Sequence, residues 1–234
     1  MTARVGSYFP GVAALAASLA LAAPAQARTT EDEQLWINAT AMGAISGKFV
    51  YFAEVQPRFG DNASHMEQLI LRPAIGYKIT PRLTIYQGFA HVENDVKGSR
   101  NNNEERSFQQ ISWTPPKFGR LELTSRTRFE QRWRSDGDDT ALRVREMLRF
   151  ELPLQDRKHA LAALGSVEGF FGLNDADWGP RSGFDQIRTF AGFEVPVGKG
   201  ASTLEIGYLN QAINQTLGRT RVNHVASISL FIRH

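Results

Sequence analysis

The fold class predicted by this sequence is an antiparallel, up-and-down transmembrane β-barrel of about 10–12 strands, on three observations. Side chains alternate with a period of two along most of the chain, short and long connections alternate, and a secretory leader precedes the first strand. Composition agrees with that class. The 234 residues are 42% hydrophobic and 22% charged, with 20 glycines, 10 prolines and no cysteine. Such a chain suits an ordered domain and gives no support to collagen, disorder or a disulfide scaffold. Mean hydropathy is −0.31. No apolar run reaches about 18 residues, so a bundle of transmembrane helices is excluded while a barrel is not.

Residues 1–27 read as a cleavable signal peptide. Arg4 supplies the basic start, residues 11–23 hold only Gly, Val, Ala, Leu and Ser, and Ala25-Gln26-Ala27 gives the small-residue exit. The barrel is then assigned to residues 28–234. Formal net charge is +3, and with no basic stretch there is no nucleic-acid footprint. Absence of cysteine removes thiol catalysis and thiolate metal sites, and no cofactor is expected.

Eleven segments carry the alternation. Leu35–Met42 is weak; Phe49–Phe59 and Gln68–Ile79 are clear; Leu83–Val92 and Ser107–Thr114 are weaker. Arg120–Trp133 is the cleanest, with Arg120, Glu122, Thr124, Arg126, Arg128, Glu130 and Arg132 opposite a mainly apolar face. Residues 142–152 repeat the device, and as helices both segments would wrap arginines around every side. Leu161–Leu173 is weak, and Asp185–Val197, Thr203–Asn214 and Val222–Arg233 complete the set. Short turns are expected at 80–82, 115–119, 155–159 and 198–201, with longer loops at 93–106, 134–140, 174–184 and 215–221. Ten strands run from Phe49 to Arg233. Leu35–Met42 would be an eleventh, and since bacterial single-chain barrels normally have an even number, it either lies in the lumen or signals a strand merged or missed elsewhere.

Alternation alone does not say which face is inside, because a soluble periplasmic barrel with an apolar interior has the same period. Three features favour an outer-membrane barrel. Arginine and glutamate crowd mid-strand between residues 120 and 151, where lipid would not accept them. Tyr77, Trp113 and Trp133 sit near strand ends, as interfacial aromatics do. Ala226, Ile228, Leu230 and Ile232 alternate up to His234, similar to the terminal signal read by the barrel-assembly machinery, in which the last residue is usually aromatic.

Trp36, the run Glu54-Val55-Gln56-Pro57-Arg58, the strand Arg126-Thr127-Arg128-Phe129-Glu130-Gln131-Arg132, Asp185-Gln186-Ile187-Arg188 and the strand Leu204–Gln211 resemble an uncharacterised family of bacterial outer-membrane β-barrels catalogued as a domain of unknown function. The resemblance covers nearly all of the chain after residue 27. It implies a barrel in the outer membrane of a Gram-negative cell, and no activity comes with it.

The candidate lumen-lining or ligand residues are Glu54, Arg58, Arg72, Arg126, Arg128, Glu130, Arg132, Arg143, Arg145, Arg149, Glu151, Glu168, Arg188 and Glu205, with Glu122 as an extension. They read either as cross-strand ion pairs filling a narrow lumen or as an excess of guanidinium that favours anions. The expected function is a narrow channel or structural envelope protein in contact with outer-membrane lipid and lipopolysaccharide. The alternatives are a surface protein binding lipopolysaccharide or a partner through its outer loops, and a lipid-modifying enzyme. Asp136, Asp138 and Asp139 beside Gly137 could offer oxygen ligands to a cation, although a solvated loop is the simpler reading. Trp178 reads as an exposed loop residue. His91 and His224 lie near outer strand ends, where an enzyme would need them, without a recognisable serine motif or orienting acid.

Overall fold

The computed structural model describes residues 29–156, 160–198, 202–215 and 218–234. The leader assigned to residues 1–27 lies outside the described residues. Eleven strands close into one barrel: β1 (Thr29–Ser46), β2 (Phe49–Gly60), β3 (His65–Thr80), β4 (Leu83–Asn94), β5 (Asn102–Trp113), β6 (Glu122–Arg134), β7 (Ala141–Pro153), β8 (Ala162–Gly172), β9 (Gly183–Pro196), β10 (Thr203–Gln215) and β11 (Arg219–Arg233). Each predicted segment corresponds to one strand.

Consecutive strands pair antiparallel, as expected for hairpins. With an odd number the first and last strands run the same way, so β1 pairs β11 in parallel from Thr29↔Thr220 to Met42↔Arg233. The expected even count is thereby corrected. The segment Leu35–Met42 is neither a lumenal plug nor a sign of a lost strand: it belongs to the wall and pairs on both sides. At the seam, His234 donates its backbone N–H to the Met42 carbonyl at 3.3 Å, and its Nε2 lies 2.5 Å from the Tyr51 hydroxyl. A Cβ on Gly43 would meet the His234 carbonyl oxygen at 2.6 Å, so this close approach needs a glycine.

One rim carries the connections 47–48, 81–82, 114–121, 154–161 and 197–202, and the other carries 61–64, 95–101, 135–140, 173–182 and 216–218. The expected short turn is found at 81–82 and the expected long loops at 135–140 and 173–182; 47–48, not among the expected turns, is a two-residue hairpin that Gly47 at φ 55 suits. At other connections the rhythm departs from expectation. Connections 114–121 and 154–161 are long on the otherwise short-turned rim, and 93–106 and 215–221 shrink because polar residues counted as loop belong to β5 and β11.

The pleat sorts side chains by chemistry. Ile75, Phe193 and Ile111 project outward with about half of their surface exposed, and Tyr77, Trp113 and Trp133 are outward too. Inward positions hold Arg72, Glu104, Arg128, Glu130 and Arg145, all buried. On β4 to β7 the apolar outer face is interrupted. There Gln131 donates to Gln109 at 3.1 Å, Gln109 donates to Gln87 at 2.8 Å, and Glu146 accepts from Ser125 at 2.7 Å and Thr127 at 2.5 Å. These outward polar groups satisfy one another.

Candidate functional site

Three zones follow one another along the barrel axis. Near the rim of connections 47–48 and 81–82, the β1–β5 side is filled by Phe52, Ala74 and Phe108, packed with Met42 and Tyr86. Phe52 lies 5.4 Å from Tyr86 and 6.3 Å from Phe108 between ring centres. Inward glycines make the room: a Cβ on Gly88 would lie 2.1 Å from the Phe108 ring, and one on Gly76 2.5 Å from the Tyr86 ring. Across the lumen at the same depth, Arg149 bridges Glu151 at 2.9 Å, Glu194 at 3.1 Å and Glu205 at 2.7 Å.

The middle zone is a mesh of buried ion pairs. Glu130, 1% exposed, accepts from Arg143 at 2.6 Å and Arg145 at 2.9 Å, with Arg128 at 3.7 Å. Glu168 accepts from Arg145 at 2.8 Å and Arg126 at 2.7 Å. Glu104 holds Arg106 at 2.8 Å and Arg132 at 2.5 Å, and Glu54 holds Arg72 at 2.7 Å. Arg143 also reaches Asp185 at 3.4 Å. Arg128 donates to Gln110 at 2.5 Å and lies 4.3 Å over the Phe108 ring, which joins this mesh to the aromatic cluster. Pairing of this kind offsets the cost of burying charge.

Above the mesh a cavity of about 820 Å³ is lined by residues reaching the rim of connections 61–64, 95–101, 135–140 and 173–182. Its lining includes eleven arginines against Glu67, Glu104 and Asp185. Trp36, 3% exposed, stands in its wall. Arg58 stacks on that indole at 3.8 Å and Arg188 at 5.0 Å. Near the mouth Arg221 pairs with Asp32 at 3.3 Å and Glu67 at 3.7 Å.

All fourteen predicted lining residues lie on the inward face, but the structure separates them. Arg149, Glu151 and Glu205 belong to a distinct carboxylate-rich cluster one zone away from the arginine mesh. Glu122 pairs with Lys117 near that same end. Glu104 and Arg106 were missed because Asn101-Asn102-Asn103-Glu104-Glu105-Arg106 reads as loop; the period-two run from Glu104 to Gln110 was the available signal. Gln110 and Glu194 were also missed, although each lies in register with a residue that was named, Arg128 and Glu205; Asp185, at a register shift of β9, has no such signal and is tied to the mesh only through Arg143.

In the acidic loop Asp136 and Asp139 are bonded to protein groups rather than simply solvated, and Trp178 is not exposed. Connections 135–140 and 173–182 dock on one another around Trp178, which is 7% exposed and packs with Ala141 and Ala176. Its Nε1 donates to the Asp139 carbonyl at 2.8 Å, and Arg132 and Arg134 each lie 5.0 Å from its ring. The Asp177 carboxylate accepts the backbone N–H groups of Asp138 at 2.9 Å and Asp139 at 3.2 Å. Asp139 accepts the N–H of Asp177, and Asp136 is taken up by Arg134. No group of carboxylates or histidines that could hold a metal is present among the described residues.

Those backbone donors, Asp138 foremost, hold the Asp177 carboxyl below its ordinary pKa. A carboxyl with a depressed folded-state pKa stabilises docking fully above the ordinary aspartate range of about 3.9 and loses that contribution as pH falls through the lower folded value. Trp178 fluorescence should therefore report undocking below the ordinary range. In Asp177→Asn the acid transition should disappear, with docking already weaker at neutral pH; an unchanged acid transition would assign it to another group.

His91 has Glu105 at 2.6 Å from Nδ1 and Glu93 at 3.6 Å from Nε2. His224 has the Tyr208 hydroxyl at 2.6 Å from Nδ1 and Glu31 at 3.8 Å from Nε2. Carboxylates thus approach both rings, contrary to expectation, and no serine hydroxyl bonds to either among the described residues.

The fold and the site define a closed β-barrel with a charged, arginine-rich interior and a largely apolar exterior. The chain belongs to the family described as "Protein of unknown function (DUF2490)", whose model matches residues 33–223. It is 48% identical over 216 residues to an uncharacterized protein of Methylorubrum extorquens, covering 92% of this chain and 94% of that one. No solved structure matches it.

Proposed function

We propose that this chain is an integral outer-membrane barrel, exported by the leader at residues 1–27 and inserted by the barrel-assembly machinery, whose lumen is a polar chamber open at one rim and filled at the other. One observation carries the reading. Along the strands most large exposed side chains are apolar, while the inward positions hold buried charges such as Arg72, Glu104, Arg128, Glu130, Arg143 and Arg145, the reverse of a soluble barrel. Strands of 11 to 18 residues meet or exceed the roughly 9–11 that a tilted strand needs to cross a bilayer. Outward Tyr77 and Trp113 near one rim and Trp133 near the other suit contact with lipid headgroups, and lipopolysaccharide would surround the chamber mouth.

The aromatic cluster and the Arg149 cluster favour a one-ended chamber over a through channel. Expressed protein should fractionate with the outer membrane and migrate faster on a gel unboiled than boiled, and in planar bilayers the folded protein should pass no steady current. Recovery from the soluble periplasmic fraction would overturn the membrane reading. Steady anion-selective conductance would overturn the filled end.

A further inference from the structure

Arg72, Arg106, Arg126, Arg132, Arg143 and Arg145 each have a carboxylate within 3.0 Å and Arg128 has one at 3.7 Å, whereas Arg58 and Arg188, the two guanidiniums against Trp36, have no ion-pair partner among the described residues. Arg58 donates only to neutral amides, to Gln56 at 2.7 Å and Gln68 at 2.9 Å. Arg188 makes no hydrogen bond to any described residue, and its Nε is buried without a partner. Instead Arg188 lies 5.0 Å from the Trp36 ring and 4.6 Å from the Phe170 ring. Both cations therefore rest on the same indole, and the carboxylates nearest to them in register are bonded elsewhere: Glu168, across the ladder from Arg188, to Arg126 and Arg145, and Glu54 to Arg72.

Charge counting sharpens the point. The mesh and the wall around Trp36 hold Arg58, Arg72, Arg106, Arg126, Arg128, Arg132, Arg143, Arg145 and Arg188 against Glu54, Glu104, Glu130, Glu168 and Asp185, nine positive groups to five negative ones. Four positive charges remain over, and they are concentrated in this half because the Arg149 cluster is carboxylate-rich. Arg58 and Arg188 are partly buried, and the buried Nε of Arg188 has no partner; a sheltered cation without a counter-charge is costly, and an anion relieves that cost. Guanidinium forks match oxyanions with two in-plane donors.

We infer that the chamber is a binding site for a small phosphoryl-bearing solute, held between Arg58 and Arg188 beside Trp36. A phosphate dianion offers three terminal oxygens and neutralises two of the four excess charges, where one carboxylate neutralises one. Arg58 already occupies a face of the indole, so recognition rests on the anion rather than on stacking of an aromatic ligand. The cavity, about 820 Å³, is within the usual range for small-molecule sites, roughly 300–1,000 Å³. The phosphoryl group could belong to a soluble ester or to a lipid headgroup reaching over the rim.

This inference rests on the lumen being the sheltered interior of a membrane barrel, so one preparation serves both questions. Full-length protein, checked for heat-modifiable migration, is titrated calorimetrically with inorganic phosphate, glucose 1-phosphate, glucose, and vesicles containing a phosphorylated glycolipid. Glucose 1-phosphate should bind and glucose should not; Arg58→Gln and Arg188→Gln should each weaken binding at least tenfold, and Arg188→Lys less. Binding to the glycolipid vesicles alone, with the same dependence on Arg188, would support the site and assign the phosphoryl group to a lipid. A folded, heat-modifiable barrel that binds no phosphoryl probe overturns the inference and leaves the membrane reading intact, as does binding that both glutamine variants retain. If one variant fails to fold, the other carries the comparison.

Discussion

Replacing Glu130 by leucine should destabilise the barrel by about 3–5 kcal/mol, the usual cost of removing one partner from a buried ion pair. Glu130 is the nearer of the two carboxylates paired with Arg143, and it shares Arg145 with Glu168. Without it the Arg143 guanidinium keeps only a 3.4 Å contact to Asp185. Urea unfolding in lipid vesicles, followed by loss of heat-modifiable migration, measures the change. Adding Arg143→Met should recover most of it, because apolar replacement of a whole buried pair is often neutral. If the double variant is as unstable as the single one, Glu130 acts through something other than pairing.

Phe108→Ala should cost about 3–5 kcal/mol, as for other large-to-small changes at buried aromatics. Phe108 is 1% exposed, stacks with Phe52, fills the space above Gly88 and supports the Arg128 guanidinium. Its removal should also thin the filled end of the lumen, and the double variant Phe52→Ala/Phe108→Ala should pass steady current in planar bilayers where the parent does not. Equal conductance of parent and variant would show that the aromatic cluster is not the barrier.

The wall was legible in the sequence because lumen and exterior impose opposite chemistry on alternate residues, so Arg126, Arg128, Glu130 and Arg132 declare their face without any knowledge of neighbours. Strand ends were less legible. In Asn102–Arg106 both faces are polar near a rim, so the period-two signal fades where strand and loop have the same composition. The grouping of the charged residues was beyond sequence reasoning for a different reason. Arg149 and Arg145 share one face of one strand, yet the register of β8 to β10 brings Glu194 and Glu205 to the first and Glu168 to the second. Trp178 was misread because burial of a loop tryptophan depends on another loop, and the Asp177 contacts that dock the two span 38 and 39 residues of sequence.

The parallel seam bears on how the barrel comes to be closed. Every other pair of neighbours is joined by a connection and can form as its hairpin is made, whereas β1 and β11 join residues 29–42 to residues 220–233 with no turn between them. Contacts at such sequence separation are slow to form, because chain entropy is lost before they reward it. Closure of this one edge is thus expected to be the slowest pairing in folding, and until it occurs two strand edges stand open to pairing with another chain.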